Sequence, residues 1–467
     1  MNVIKTIQNF IKDVTDPEES PEELLAERFG ETITPNMRAL KLSMTVADFL
    51  LSMGIPAGDV VGMSLDITNH YCKRKVAIDI SSTILMFSQD RGNNREPLTL
   101  IRTSISRPVN STTIQSLQDM THEIHHGKLS LASAEKRLQS IIDNPRQYPR
   151  WLLAFGNGSI SAGIGSLLSG SLLIIAITFV VGAIISHIVR VFVDKLMPAF
   201  FIQVLAATLT TVVAAFIIWL GDNGIDSFQQ LDPNLIIIGG IVMLVSGLAI
   251  VGAVEDAIDE YYVTANARLL RVLMMTSGII GGVILGLYIA SKLGVDLIID
   301  TNQPVLGLIN WQYAGAFLIA GGYALSTHAR IKGILLSGLT GSAGWAVYTF
   351  GQEYFTRAIA VFLAAMVVGS AATLLSRWLR LPATVLITAG VIPLVPGLAL
   401  FNGLIAVILR NSESSAVLGS GGDLLLDALM LALAIAAGAS IGRLTTRPVR
   451  RTLVRAQNSL PMRKLSE

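Results

Sequence analysis

Ile387–Arg410 reads ITAGVIPLVPGLALFNGLIAVILR, and the fold turns on how that stretch is taken. It is long and apolar enough to cross a bilayer, yet it carries Pro393, Pro396, Gly397, Asn402 and Gly403 in its middle. Prolines at that depth remove backbone hydrogen bonds that water cannot replace, so the freed groups must face protein or a polar cavity. Interrupted membrane helices of this kind mark transport sites. A second copy stands upstream: Leu244-Val245-Ser246-Gly247-Leu248-Ala249 aligns with Leu394-Val395-Pro396-Gly397-Leu398-Ala399, an offset of 150 residues (394 − 244). Two interruptions at a fixed offset predict two structural halves.

Around that stretch, 52% of the 467 residues are hydrophobic and 15% charged, and the mean hydropathy is +0.59, which argues against an ordinary soluble enzyme. Charge concentrates in residues 1–150 and in the basic tail, while 151–442 is nearly all apolar and rich in glycine. That split predicts a soluble domain followed by a membrane domain. A net charge of +2 is too small to suggest nucleic acid as a partner, and the single cysteine, Cys72, excludes an internal disulfide and a thiolate metal site. Residues 1–20 reach acidic positions too soon, and lack the small-residue cleavage site, to read as a signal peptide. No nucleotide-binding or hydrolase fingerprint stands in a fitting context, so a non-enzymatic protein without cofactor, driven by an ion gradient, is expected.

Residues 1–35 read as an acidic flexible arm, and 36–150 as an α+β domain on the cytoplasmic side. Within it the spacing predicts an amphipathic helix over 36–53, strands over 76–80, 83–87 and 98–105, and helices over 111–126 and 130–142, the last with Ser130 as N-cap. His122-Glu123-Ile124-His125-His126 satisfies H-E-x-x-H, in which two histidines one turn apart bind zinc while the glutamate works on a bound water. Its polar flanks place it at a solvated helix end, with only Glu135 in view as a third ligand. A membrane-anchored zinc hydrolase using His122, Glu123 and His126 is therefore the alternative reading, not the first.

Apolar segments follow at 151–170, 172–192, 199–220, 234–254, 270–290, 310–328, 333–351, 357–376, 383–409 and 423–442, about ten in all. Counting from a cytoplasmic N-terminus, the inside connections collect Arg190, Lys195, Arg268, Arg271, Arg330, Lys332, Arg377 and Arg380, and the tail adds Arg443, Arg447, Arg450, Arg451 and Arg455. The outside connections carry Asp222, Asp226, Asp232, Asp296 and Asp300 with only Lys292, Arg357 and Arg410. The positive-inside rule then puts both termini in the cytoplasm of a multi-pass cell-membrane protein. With five segments per half, 151–300 and 301–445, the second repeat enters from the opposite side. The expected fold is thus a polytopic α-helical membrane protein of two five-helix inverted repeats, followed by a basic cytoplasmic tail over 446–467.

Along the expected path, Glu255 and Asp256 sit at the membrane end of an apolar helix, a place suited to carrying a proton; an acidic cluster paired with Arg268 and Arg271 is the plainer reading. Arg268 supplies the supporting charge in both. Ser246, Gly247, Pro396, Gly397 and Asn402 are the candidates for the solute path, which would suit a zwitterion held by helix N-terminal N–H groups and freed carbonyls.

The order of parts resembles the threonine/serine exporter family. The likeness is carried by Gly127-Lys128-Leu129-Ser130, Ser133-Ala134 and Leu138, by Tyr148-Pro149 and Trp151, by Leu244 to Arg268, and by Pro393-Leu394-Val395-Pro396-Gly397. It departs at Ser246-Gly247, where the family has proline before glycine, and at Ala265-Asn266. The resemblance implies export of small hydroxy amino acids from the cytoplasm in exchange for protons. The implied partners are the amino acid, protons and the lipid bilayer, and an oligomer is compatible with it.

Overall fold

A computed structural model of the chain describes residues 34–92, 96–194, 197–224, 228, 231–241, 244, 247–295, 297, 306–379, 383–408 and 416–458. The acidic arm, Ser246 and the end of the basic tail lie outside the described residues. The chain divides into two compact units. One holds residues up to Arg107 with Ser116–Pro145, and the other holds Pro108–Gln115 with everything from Arg146 onward.

The first unit is α+β. Helix α1 (Pro35–Ser52) opens with Pro35 behind Thr34, whose hydroxyl accepts the Met37 N–H, and packs on α2 (Ala57–Tyr71). Strands β1 (Val76–Ser81), β2 (Ile84–Gln89) and β3 (Leu98–Thr103) form an antiparallel meander with Ile78 opposite Phe87 and Met86 opposite Ile101. Alternation buries Val76, Ile80, Leu85 and Phe87 on one face. Helix α3 (Ser111–His125) ends at Gly127, whose φ of +69° lets its own N–H reach Ile124 O and the Lys128 N–H reach Glu123 O, closing the helix. Helix α4 (Leu131–Asp143) follows, with Ser130 Oγ accepting the Ser133 N–H. Arg38 of α1 holds Glu135 of α4 through one guanidinium edge, Nε donating to Oε1 and Nη2 to Oε2.

The second unit is a helical bundle: α5 (Arg150–Leu168), α6 (Leu172–Asp194), α7 (Ala199–Asp222), α8 (Pro233–Ile241), α9 (Gly247–Ile258) and α10 (Tyr262–Lys292), then α11 (Ile309–Ser326), α12 (Ile331–Gly351), α13 (Arg357–Leu379), α14 (Ala383–Val391), α15 (Gly397–Ile408) and α16 (Ala416–Asn458). Six of these, α5, α6, α7, α10, α13 and α16, are each long and apolar enough to cross a membrane. A seventh span is available if α14 and α15, bent by 48°, count as one. Among the described residues, length and composition thus support six or seven of the ten expected segments. Helices α11 and α12 bury small residues, Gly315, Gly321 and Gly322 on the one and Gly333, Ser337, Gly338, Thr340, Gly341 and Gly344 on the other.

The two interrupted helices share their boundaries. Shifting α8 and α9 by 150 residues gives 383–391 and 397–408, the bounds of α14 and α15. Packing follows the same correspondence. In the first half α5 packs on α6, α6 on α7, α7 on α10, α8 on α5, α6 and α7, and α9 on α10. In the second half α11, α12, α13, α14, α15 and α16 repeat each of those contacts in the same roles. Between the halves α5 meets α11, while α9 meets α16 and, reciprocally, α15 meets α10.

Candidate functional site

The breaks are built by proline and glycine. Pro393 offers no N–H, so the Ala389 carbonyl has no amide four residues on to accept from, and the chain tightens into a 3₁₀ turn over Ile392–Leu394. Val395, forced out of helical geometry by the following Pro396, lies at φ −66°, ψ 131°. Helix α15 restarts at Gly397, with the Leu400 N–H on Pro396 O. Pro396, Gly397 and Asn402 are all buried, Asn402 within the second turn of α15. In the first half Gly247 opens α9 at the matching position.

Asp256 stands in the last turn of α9 and is 0% exposed. Its backbone carbonyl accepts the Tyr261 N–H across a turn in which Glu260 adopts φ +69°. A carboxylate there meets the negative pole of its own helix, so burial and dipole both oppose the charge. The compensation is Arg268 of α10, whose Nε lies 3.1 Å from Asp256 Oδ2. Gly252, one turn earlier on α9, leaves room for that guanidinium, since a Cβ there would sit 3.0 Å from Arg268 Nη1. Glu255 turns elsewhere: its Oε1 accepts from Arg443 Nη2 of α16 at 3.0 Å. Asp256 thus pairs with a cation of its own half, while Glu255, whose charge also acts on Arg268, reaches a cation of the other half. The plainer reading from sequence paired the acids with Arg268 and Arg271, and Arg268 is at Asp256; Arg443, counted only as a tail charge, is the residue it missed. The one available signal was its place at the end of the last apolar segment.

The H-E-x-x-H stretch does not assemble a metal site. Glu123 is paired with Arg137 at 2.5 Å, His125 with Asp66 at 3.1 Å, and His126 Nδ1 lies 2.8 Å from the His122 carbonyl. Glu135, the only third ligand in view, is held by Arg38. Among the described residues no three His, Cys, Asp or Glu side chains come together to hold a metal ion. The zinc-hydrolase alternative is thereby corrected: the motif is a helix end whose charges are already engaged.

Residues 41–290, more than half of the chain, match the family model described as "Putative threonine/serine exporter". The chain belongs to the threonine/serine exporter family. A second model, "Threonine/Serine exporter, ThrE", matches residues 312–444, so the exporter family's two models divide the chain close to the boundary between its packing halves. Among exporter relatives, the "Probable threonine/serine exporter" of Mycobacterium tuberculosis (strain ATCC 25618 / H37Rv) is 28% identical over 88% of this chain and 77% of its own. The "Threonine/serine exporter" of Corynebacterium glutamicum is 27% identical over 88% of this chain and 83% of its own. A "Probable succinate transporter subunit YjjP" of Escherichia coli (strain K12) is 24% identical over 55% of this chain and 96% of its own. No solved structure matches the chain.

Proposed function

We propose that this chain exports threonine, serine or a similar small polar amino acid across the cell membrane in exchange for protons, with both termini in the cytoplasm. The observation that carries the reading is Asp256: a carboxylate with no exposure, at the end of the half-helix that follows a break, paired with Arg268 of the neighbouring helix. Buried acids inside membrane bundles are costly and are kept for moving charge. Taking up a proton would free Arg268 and loosen the hold of α9 on α10; releasing it would restore the pair.

The equal bounds of the two interrupted helices and the paired packing of the halves support an inverted repeat, in which about ten segments cross and exchanging the two halves' conformations moves the opening from one side to the other. The solute's carboxylate would rest on the N–H groups that open α15 at Gly397, its ammonium on carbonyls left by Pro393 and Pro396, and Asn402 would meet the hydroxyl; Ser246 and Gly247 contribute the matching edge. Succinate, in the name of one relative, shares a short carboxylate-bearing skeleton with threonine, so a substrate test needs both.

The test is efflux from cells preloaded with threonine-yielding or serine-yielding dipeptides or with succinate, with and without a protonophore. Threonine or serine efflux should collapse with the gradient, and succinate should stay. Asp256→Asn should lower gradient-driven efflux about tenfold or more while leaving threonine–threonine exchange in place. Protonophore-sensitive export at the parent rate in Asp256→Asn would remove the coupling role.

A further inference from the structure

We infer that Glu255 and Arg443 form a gate between the two membrane halves, an ion pair that must part before the bundle can change sides. The inference rests on the export reading and adds to it a residue outside the proton site.

The pair joins α9 of the first half to α16 of the second, across 188 positions of sequence. It is largely shielded, with side-chain exposures of 15% for Glu255 and 26% for Arg443, so salt screens it far less than a surface pair. Ser440, one turn back on α16, accepts from the same Nη2 at 3.2 Å and keeps the guanidinium aimed at α9.

What lies on either side of the pair says where the bundle can separate. Helix α16 is locked to α13: a Cβ on Gly438 or Gly442 would run into the backbone carbonyls of Phe362 and Met366, and one on Gly369 would come within 2.6 Å of the Ala439 carbonyl. Helix α10 is locked to α7 in the same manner, with Gly278 against the Phe200 carbonyl, Gly282 against that of Val204 and Gly286 against Thr211. Helices packed backbone to backbone move together. The α9–α16 contact carries, beside the apolar residues that both helices give to the core, two long side chains that can part by a change of rotamer. Its reciprocal contact, α15 on α10, has no such pair, because the 150-residue shift carries Glu255 and Asp256 onto Ile405 and Ala406. Among the described residues, the Glu255 and Asp256 carboxylates have no counterpart at the matching positions of the other half. Asp256, next in the chain and held by the same half's Arg268, can report its protonation to Glu255 through the shared last turn of α9.

Charge exchange tests the pair. In the full-length protein, Glu255→Arg and Arg443→Glu should each cut threonine efflux about tenfold, and the double exchange should return it to within about threefold of the parent, a recovery that an acid serving only as a proton carrier cannot give. A second readout does not depend on the substrate. Cys72 is buried, and burial pushes its thiol up to about 11, so a cysteine placed at Ser440 reports alone to a permeant maleimide near neutral pH. Arg443→Gln should raise the labelling rate at 440 several-fold, and the exchanged pair should restore the parent rate. Unchanged labelling in Arg443→Gln, or an exchanged pair no better than its single variants, would overturn the gate. If the parent moves no threonine, the export reading fails, and the labelling arms still decide the pair.

Discussion

His328 shows how one side chain's surroundings translate into a measurable dependence on pH. It caps α11 with φ +63°, its carbonyl accepts from Thr112 Oγ1, its Nδ1 accepts the Tyr148 N–H at 3.0 Å, and its ring stacks on Tyr148 with centroids 5.9 Å apart. Burial, and after it the positive charge of Arg190, lowers its pKa from 6.5. The folded state thus binds this proton less readily than the unfolded chain, so stability is full above the unfolded value and is lost as pH falls through 6.5 toward the folded value, where the loss levels off. Thermal unfolding of the detergent-solubilised protein should show a lower midpoint at about pH 5.5 than at about pH 7.5, and His328→Gln should flatten that difference. At this scale the sequence placed Asp256 at the end of an apolar helix, and the structure buries it there beside Arg268. The sequence was a poor guide to His122 and Glu123, because a spacing rule cannot see that Arg137 has already taken the glutamate. Nor could it tell Glu255 from Asp256, which differ only in the direction each faces around the helix.

Among the elements, the interrupted helices were legible and their packing was not. Proline, glycine and the 150-residue offset announced both breaks, whereas the tightness of their fit depends on partners far away in sequence. Gly240 of α8 faces Thr210, whose hydroxyl is tied to Ala206 O and so cannot swing aside; a Cβ at Gly390 of α14 would lie 2.8 Å from Val368 Cγ1 and 3.0 Å from Thr340 Oγ1. Gly240→Ala and Gly390→Ala should each cost about 1–3 kcal/mol in the unfolding of the purified protein, while Gly281→Ala, with nothing within 4 Å, should cost nothing measurable. Equal midpoints for all three would show that the breaks are loosely packed. In the first unit, α1, the meander and α4 appeared near their expected bounds because capping and alternation are local signals. Helix α2 was passed over: its AGDVVGMSLDITNHY mixes glycine, β-branched and polar residues, and it is helical through its packing on α1 rather than through its own propensity.

For the molecule as a whole, the inverted repeat proposed above predicts that equivalent positions face opposite sides of the membrane. Met197 follows α6 and Gln352 follows α12, and both are exposed at corresponding helix ends. Cysteines placed at each should divide an impermeant maleimide applied to intact cells: labelling at 352, none at 197 until the membrane is opened. Labelling of both, or of neither, would mean that the halves run the same way. The repeat could be read in one dimension because its motif recurs along the chain; the Glu255–Arg443 contact could not, because nothing local ties residue 255 to residue 443. Shape and charge also differ in symmetry. The helices pair as if either half could replace the other, yet Ile405 and Ala406 stand where the acids would have to be. If the halves exchange conformations as proposed above, the two resulting states of such a bundle cannot be equal in energy. With no gradient and no cargo, the protein should spend most of its time in whichever orientation keeps the Arg443 guanidinium neutralised, and the cost of leaving that resting state sets how fast an empty carrier resets.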